Sequence, residues 1–312
     1  MDSDVMSQEH GGDLDRAMTR FGGKRAEWLD LSTGINPRPY QVPDLPAQVW
    51  SALPDRSSFA AVEAAARRHW RVPDGAEIVI APGASALIAA MPRLSEARSV
   101  AIPEPTYNEH AASFRAAGVE LVTDAPVQVV VHPNNPDGRL WPTLPDGDLV
   151  IVDESFAETG EASHVAATAG PGVVVLKSFG KLWGLAGLRL GFAICAPEHA
   201  AVLRAHLGPW AASGPALAVG ARALADDDWA ARTRAWLRAQ ADALDAVMTP
   251  HAELVGGTPL FRLYSHADAA ALQKRLAEAQ IWTRTFSYDP SWIRLGLPPD
   301  GTGLDRIAQA LG

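Results

Sequence analysis

Between residues 77 and 195 the chain repeats one pattern: a short, continuous apolar run, a polar or turn residue, and a longer segment before the next run. The runs are Glu77–Ala81, Ser99–Pro103, Val119–Val122, Val127–His132, Leu149–Asp153, Val173–Lys177 and Leu190–Cys195. Strands covered on both faces need continuous apolarity rather than alternation, so this pattern predicts an α/β fold around a mostly parallel, seven-stranded sheet. Several runs end at Pro82-Gly83, Pro133-Asn134-Asn135, Asp153-Glu154 or Lys177-Ser178. Polar residues at the carboxyl ends of parallel strands are where such sheets bind ligands.

The 312 residues are 47% hydrophobic and 20% charged, enough for one large core or two smaller ones, which excludes a disordered or fibrous chain. With 36 acidic against 27 basic residues the net charge is -9, and no broad basic surface is expected to meet a nucleic acid. A single cysteine, Cys195, can form neither an internal disulfide nor a multi-thiolate metal site. It reads as strand packing in a reducing cytoplasm, and no metal is expected. The opening MDSDVMSQEHGGDLDR is acidic and polar, and no run of about 18 apolar residues occurs, so neither export nor a membrane span is expected.

Beyond Cys195 the chain turns alanine-rich and helical, most clearly over Asp227–Met248, where Trp229, Trp236, Leu237, Leu244, Val247 and Met248 recur at helical spacing as a core stripe. The remainder reads as strand Leu260–Tyr264, helix Ala267–Ala279, strands Ile281–Thr285 and Trp292–Leu297, and helix Leu304–Leu311, a small α+β domain. Residues 1 to about 45 are rich in Gly, Pro and Asn and show no strong periodicity.

The strongest chemical signal is the segment from Ser178 to Gly191, SFGKLWGLAGLRLG. It sets Lys181 in a glycine-rich turn just after a strand, with Arg189 eight residues later. A lysine among small and apolar residues is desolvated, which favours the amine that attacks carbonyls. Arg189 offers a planar fork suited to phosphate, and Ser178 adds a hydroxyl. Upstream, Asp153 ends a buried strand, where a carboxylate either pairs with a protonated ring nitrogen or caps a helix. Asn135 sits in an Asn-Pro-Asp-Gly turn, as a possible amide donor or as turn punctuation. Pro82-Gly83-Ala84-Ser85 opens an apolar helix whose free N–H groups suit a phosphate or a simple cap. Arg294 stands mid-strand, where a charge needs a partner.

In this order these segments resemble the fold-type I pyridoxal-phosphate enzymes of the class I and II aminotransferase family, over nearly the whole chain. The resemblance implies pyridoxal 5'-phosphate (PLP) as cofactor and Lys181 as the lysine that carries it. It implies Asp153 as the ring-nitrogen partner, Asn135 as donor to the ring hydroxyl and Tyr107 as the stacked ring, with Ala84, Ser85, Ser178 and Arg189 as the phosphate cup. Arg294 is similar in position to the arginine that grips the substrate carboxylate, and Leu31–Pro37, with Gly34 and Ile35, resembles the segment lying over that carboxylate. The resemblance also implies a homodimer. It divides the chain into a large PLP-binding domain at 46–200, with helices to about 250 as a link, and a small domain from 1–45 and 205–312.

His10-Gly11-Gly12 ahead of Asp30–Pro37 is similar to the opening of the decarboxylase branch, whose members act on L-threonine O-3-phosphate in cobalamin synthesis. Phe156, where aminotransferases carry a tyrosine, fits that branch, and Pro209-Trp210 resembles it too. The implied substrate is a small phosphorylated amino acid, with His10 and Arg284 as candidate ligands of its phosphate. Transamination of the histidinol-phosphate type and a non-catalytic partner protein remain open. Three positions depart from the family pattern: Leu53 replaces a tyrosine before Pro54-Asp55, Asp137 a small hydroxyl residue, and Gly180 the Ser or Thr common before the lysine.

Overall fold

The computed structural model describes residues 11–312. In chain order the strands are β1 (Leu29–Asp30), β2 (Glu77–Ala81), β3 (Ser99–Ala101), β4 (Glu120–Val122), β5 (Val127–Val131), β6 (Leu149–Asp153), β7 (Val173–Ser178), β8 (Gly191–Cys195), β9 (Glu253–Thr258), β10 (Phe261–Ser265), β11 (Ile281–Trp282), β12 (Arg284–Phe286) and β13 (Asp289–Gly296). The helices are α1 (Leu14–Phe21), α2 (Ala47–Ser51), α3 (Arg56–His69), α4 (Ala84–Ala90), α5 (Asn108–Ala116), α6 (Pro197–Leu207), α7 (Gly214–Ala223), α8 (Asp227–Met248), α9 (Ala269–Glu278) and α10 (Gly301–Leu311). The described residues divide into two compact units, 38–233 and 11–37 with 234–312.

In the 38–233 unit, β2 to β8 form one sheet in the order β2-β8-β7-β6-β5-β3-β4. The neighbours from β7 to β4 pair in parallel, and β8 runs antiparallel to both β2 and β7. The middle strands β5, β6 and β8 are buried at every position, which is why their sequences lack alternation. Cys195 ends β8 fully buried, and burial pushes its thiol up to about 12, so it packs rather than reacts. Among the described residues no helix is long and apolar enough to cross a membrane.

The other unit holds a four-stranded antiparallel sheet ordered β12-β13-β10-β9, with a two-stranded parallel pair β1-β11. Three details differ from the sequence reading. Residues 14–21 form α1, capped by the Asp13 side chain on the Arg16 N–H, although two turns are too few to show a period. Its buried Leu14 and Ala17 pack with Trp28 and Ala277. Strand β9 escaped notice because Gly256-Gly257 is a poor strand sequence; Gly257 has φ +139° and a Cβ there would collide with the Phe261 carbonyl. The strand expected over 281–285 is two strands in two sheets. They part at Thr283, whose carbonyl accepts from Gln273 Nε2 at 2.8 Å instead of joining a ladder.

Candidate active site

In the 38–233 unit the topology gathers the predicted residues at one edge. Strands β2, β3, β5, β6 and β7 share one direction, so their carboxyl ends lead into the Ala84-Ser85, Tyr107, Asn135, Asp153 and Ser178–Lys181 positions respectively. Strand β8 starts from the same edge, because Gly191 pairs with both Ala81 and Ser178, and this brings Arg189 there. A covered parallel sheet thus builds the site from five strand ends and one returning strand.

Asp153 is buried at the end of β6. His110 Nε2, on α5, lies 2.9 Å from its Oδ2, while Ser155 reaches Oδ1 with both its hydroxyl (2.5 Å) and its N–H (2.9 Å). Burial pushes this carboxyl upward, but the hydrogen bonds from His110 and Ser155 outweigh it and hold the pKa below the ordinary carboxylate value. Neither His110 nor Ser155 was singled out from the sequence. The Asp-x-Ser spacing of an Asx turn was a usable signal for Ser155, whereas His110 is 43 residues away in the chain. Tyr107 caps the start of α5, half-buried, its ring 6.2 Å from the His110 ring and nearly perpendicular to it.

Asn135 is buried in a turn fixed by its neighbour. The Asn134 amide donates to Asp137 Oδ1 (2.7 Å) and to the Pro105 carbonyl (2.9 Å), and its Oδ1 accepts from Thr106 Oγ1 (2.6 Å). Asp137 therefore closes the turn that presents Asn135, and Asn134 ties that turn to the segment carrying Tyr107. This gives the unusual Asp137 a structural reason.

Lys181 is half-buried, so its desolvation is less complete than its neighbours in sequence implied. Its ammonium lies 4.9 Å from the centroid of the buried Phe156 ring, a cation–π contact where a tyrosine was absent. Gly180 has its own cause: a Cβ there would meet Ala186 Cα at 2.9 Å, so the tight return toward Arg189 excludes a side chain. Ser178 ends β7, half-buried.

Ala84 begins α4 after Gly83, which takes φ +90° as only glycine does readily. Arg189 is left-handed at φ +54°, a conformation that costs energy outside glycine, and its Nη1 donates to the Ala186 carbonyl at 3.1 Å. A Cβ on Gly83 would lie 2.6 Å from Arg189 Nη2, and one on Gly191 would strike the Ala84 nitrogen. Two glycines thus keep a space lined by a helix N-terminus and a guanidinium, with exposed Ser85 beside it. That is an anion cradle.

Behind this edge lies a buried charged cluster that sequence reading missed. Lys177 contacts Glu154 Oε2 at 2.7 Å and Glu158 Oε1 at 2.9 Å. Glu158 also accepts from Trp70 Nε1 (2.8 Å) and faces His69 Nε2 (3.3 Å). Burial opposes charge on Lys177, but the two glutamates overcome it and raise its pKa. Burial likewise opposes the Glu158 charge, and Lys177 and His69 prevail and lower it.

Of the other predicted residues, His10 lies outside the described residues. Arg284, Arg294, Gly34 and Ile35 belong to the second unit. There Arg294 is buried on β13, directly opposite Arg284 across the β12-β13 pairing, with its guanidinium 5.0 Å from the Phe261 centroid and Nη2 donating to the Ser32 carbonyl at 2.9 Å. Strand β13 lies between β12 and β10, so Arg294 is not on a sheet edge.

The family model for aminotransferase class I and II matches residues 47–128 and 123–311. The chain belongs to this family. Among curated proteins, this aminotransferase-family chain is 42% identical to a threonine-phosphate decarboxylase of a Sinorhizobium species and 37% identical to one of Pseudomonas aeruginosa, each over 97% of both chains. Its fold is similar to a histidinol-phosphate aminotransferase from Sinorhizobium meliloti solved in complex with pyridoxal-5'-phosphate, at 20% identity and a TM-score of 0.83 over 100% of this chain and 97% of that one.

Proposed function

We propose that this protein is a PLP-dependent decarboxylase that converts L-threonine O-3-phosphate to (R)-1-amino-2-propanol O-phosphate and CO2 in cobalamin biosynthesis. The observation that carries the reading is the near full-length identity to two threonine-phosphate decarboxylases. The residues present fit the cofactor. A buried carboxylate kept ionised by His110 and Ser155 suits a protonated pyridine nitrogen, and the cradle of Ala84, Ser85, Ser178 and Arg189 suits its phosphate. Asn135 would donate to the ring hydroxyl, Tyr107 would stack on the ring, and Lys181 would hold the aldehyde carbon.

When bound, PLP supplies an electron sink for the bond broken at the substrate Cα. The chain sets which bond that is. Arg294 grips the α-carboxylate in a bidentate pair and so holds the Cα–carboxylate bond in one orientation, with Gly34 and Ile35 over it. Arg284 and His10 take the substrate phosphate. Like charges directly opposite on a sheet repel, so the Arg284–Arg294 pairing suits a substrate carrying two anionic groups. Asp153 stays ionised throughout, and the protonated Lys181 side chain or a nearby acid delivers to Cα the proton that takes the place of the departed CO2.

The test supplies the purified protein with threonine O-3-phosphate and, separately, with histidinol phosphate plus 2-oxoglutarate. CO2 from the first without glutamate from the second is expected; the reverse pattern selects transamination, and inactivity in both selects a non-catalytic role. We place the protein in the cytoplasm as a homodimer, a state supported by the exposed apolar side chains Val42, Trp50 and Leu53 around α2, which sedimentation analysis would check.

A further inference from the structure

Arg294 does not choose its own orientation. Its Nη2 donates to a neutral acceptor, the Ser32 carbonyl, at 2.9 Å, with both residues buried. That carbonyl sits in a turn held from several directions. The Asp30 carboxylate oxygen Oδ1 accepts from both the Ser32 N–H (3.0 Å) and the Ser32 hydroxyl (2.6 Å), an Asx turn closed twice. The Ser32 hydroxyl in turn accepts from the Gly12 N–H at 2.7 Å. Gly11 packs against the Ser32 carbonyl so closely that any Cβ would collide with it. Strand β13, which carries Arg294, grips the same turn with its own backbone, the Gly296 N–H donating to the Leu31 carbonyl at 2.6 Å. A Cβ on Gly296 would strike the Thr33 carbonyl. The Gly11-Gly12 pair, the Ser32 turn and the strand end are therefore one interlocked assembly, and the Arg294 guanidinium donates to the carbonyl at its centre.

We infer that Ser32 and Asp30 are positioning residues for the substrate carboxylate, acting through Arg294: Asp30 fixes the Ser32 turn, and the Ser32 carbonyl fixes the plane of the guanidinium. The inference rests on the reading of Arg294 as the carboxylate ligand. A planar fork binds a carboxylate in two parallel hydrogen bonds only within a narrow range of orientation, so a loosened Arg294 loses affinity before it loses chemistry. The paired glycines at 11 and 12 then have a physical role, since their lack of side chains lets the segment close over the turn.

The experiment measures KM and kcat of the PLP-loaded enzyme on threonine O-3-phosphate for Ser32→Ala, Asp30→Ala, Asp30→Asn, Arg294→Ala and the Ser32→Ala/Arg294→Ala double variant, with cofactor occupancy read by absorbance and folding by thermal melting. Ser32→Ala and Asp30→Ala should each raise KM roughly tenfold, the scale of a lost hydrogen-bond pair, with kcat and cofactor occupancy little changed. Asp30→Asn keeps the accepting oxygen and should restore near wild-type KM. In the Arg294→Ala background, Ser32→Ala should add nothing, because it acts only through the missing side chain. Unchanged KM in Ser32→Ala and Asp30→Ala, beside a raised KM in Arg294→Ala, overturns the positioning role, as do fully additive losses. Unchanged KM in Arg294→Ala overturns the underlying reading of Arg294 instead. Should Ser32→Ala fail to fold, the exposed Asp30 carries the same test.

Discussion

His110 Nε2 meets Asp153 Oδ2 at 2.9 Å with both side chains removed from water. Among the described residues the His110 Nδ1 has no hydrogen-bond partner, and an ionised carboxylate can only accept, so Nε2–H donates to Asp153. Burial alone would drive this carboxyl toward neutrality, so the donors decide its charge. The folded pKa lies below the ordinary value of 3.8. The stabilisation from ionised Asp153 is therefore complete above that value and is lost as pH falls through the lower folded one.

Replacing His110 by Phe removes one donor and lets burial act. The Asp153 pKa should rise, so ionisation fails at a higher pH than in the wild type, and the acid limb of kcat/KM should move to higher pH. PLP should dissociate more readily on the same limb. A pH profile superimposable on the wild type would remove His110 from this role.

Gly83→Ala tests the anion cradle. The positive φ with an extended ψ is essentially a glycine conformation and costs an alanine about 1–3 kcal/mol. The new Cβ would meet Arg189 Nη2, the far end of a flexible side chain, so the protein should fold with its guanidinium displaced. We expect PLP affinity to fall at least tenfold, on the order of one lost charge-assisted contact, with a cooperative melt retained. Wild-type affinity by titration would show that Arg189 does not serve the cofactor phosphate.

Lys177 makes a prediction of a different kind. Removing it as Lys177→Met leaves Glu154 and Glu158 buried without their cation, which costs roughly 3–5 kcal/mol for a broken buried pair. At the scale of a few degrees per kcal/mol, calorimetry should show the melting temperature falling by about 10 °C. The loss should lessen on acidification, because protonated glutamates no longer need the cation. A shift of a degree or less would mean that the cluster relaxes without Lys177.

What the sequence disclosed and what it hid divide along one line. Lys181, Asp153 and Arg189 were legible because each sits at a fixed offset from a strand whose continuous apolarity marks it. The seven runs match the seven strands within a residue or two. His110, Asn134 and the Lys177 cluster were not, since their partners are distant in the chain and meet only in the fold: His110 with Asp153, Asn134 with Thr106, Lys177 with Glu158. Thr283 hid a strand break for the same reason, its carbonyl being taken by Gln273 from a helix. Local pattern records the backbone's own hydrogen bonding, while side-chain pairing between distant segments leaves no period to read.

Gly180 turns a departure from the family pattern into a last test. The resemblance to the family implies a serine or threonine before Lys181, and restoring one would look conservative. Here a Cβ would press on Ala186 Cα at 2.9 Å and Ala186 Cβ at 3.2 Å, and the first of these is backbone that cannot rotate aside. Gly180→Ser should therefore displace the turn that carries both Lys181 and the left-handed Arg189, weakening PLP binding and slowing decarboxylation by about tenfold or more, since a misplacement of an ångström at a reacting group is that costly. Adding Ala186→Gly relieves the contact with Cβ but not with Cα, so it should recover only part of the loss. Full activity in Gly180→Ser would mean that the turn has slack, and that the glycine is not required by its neighbours.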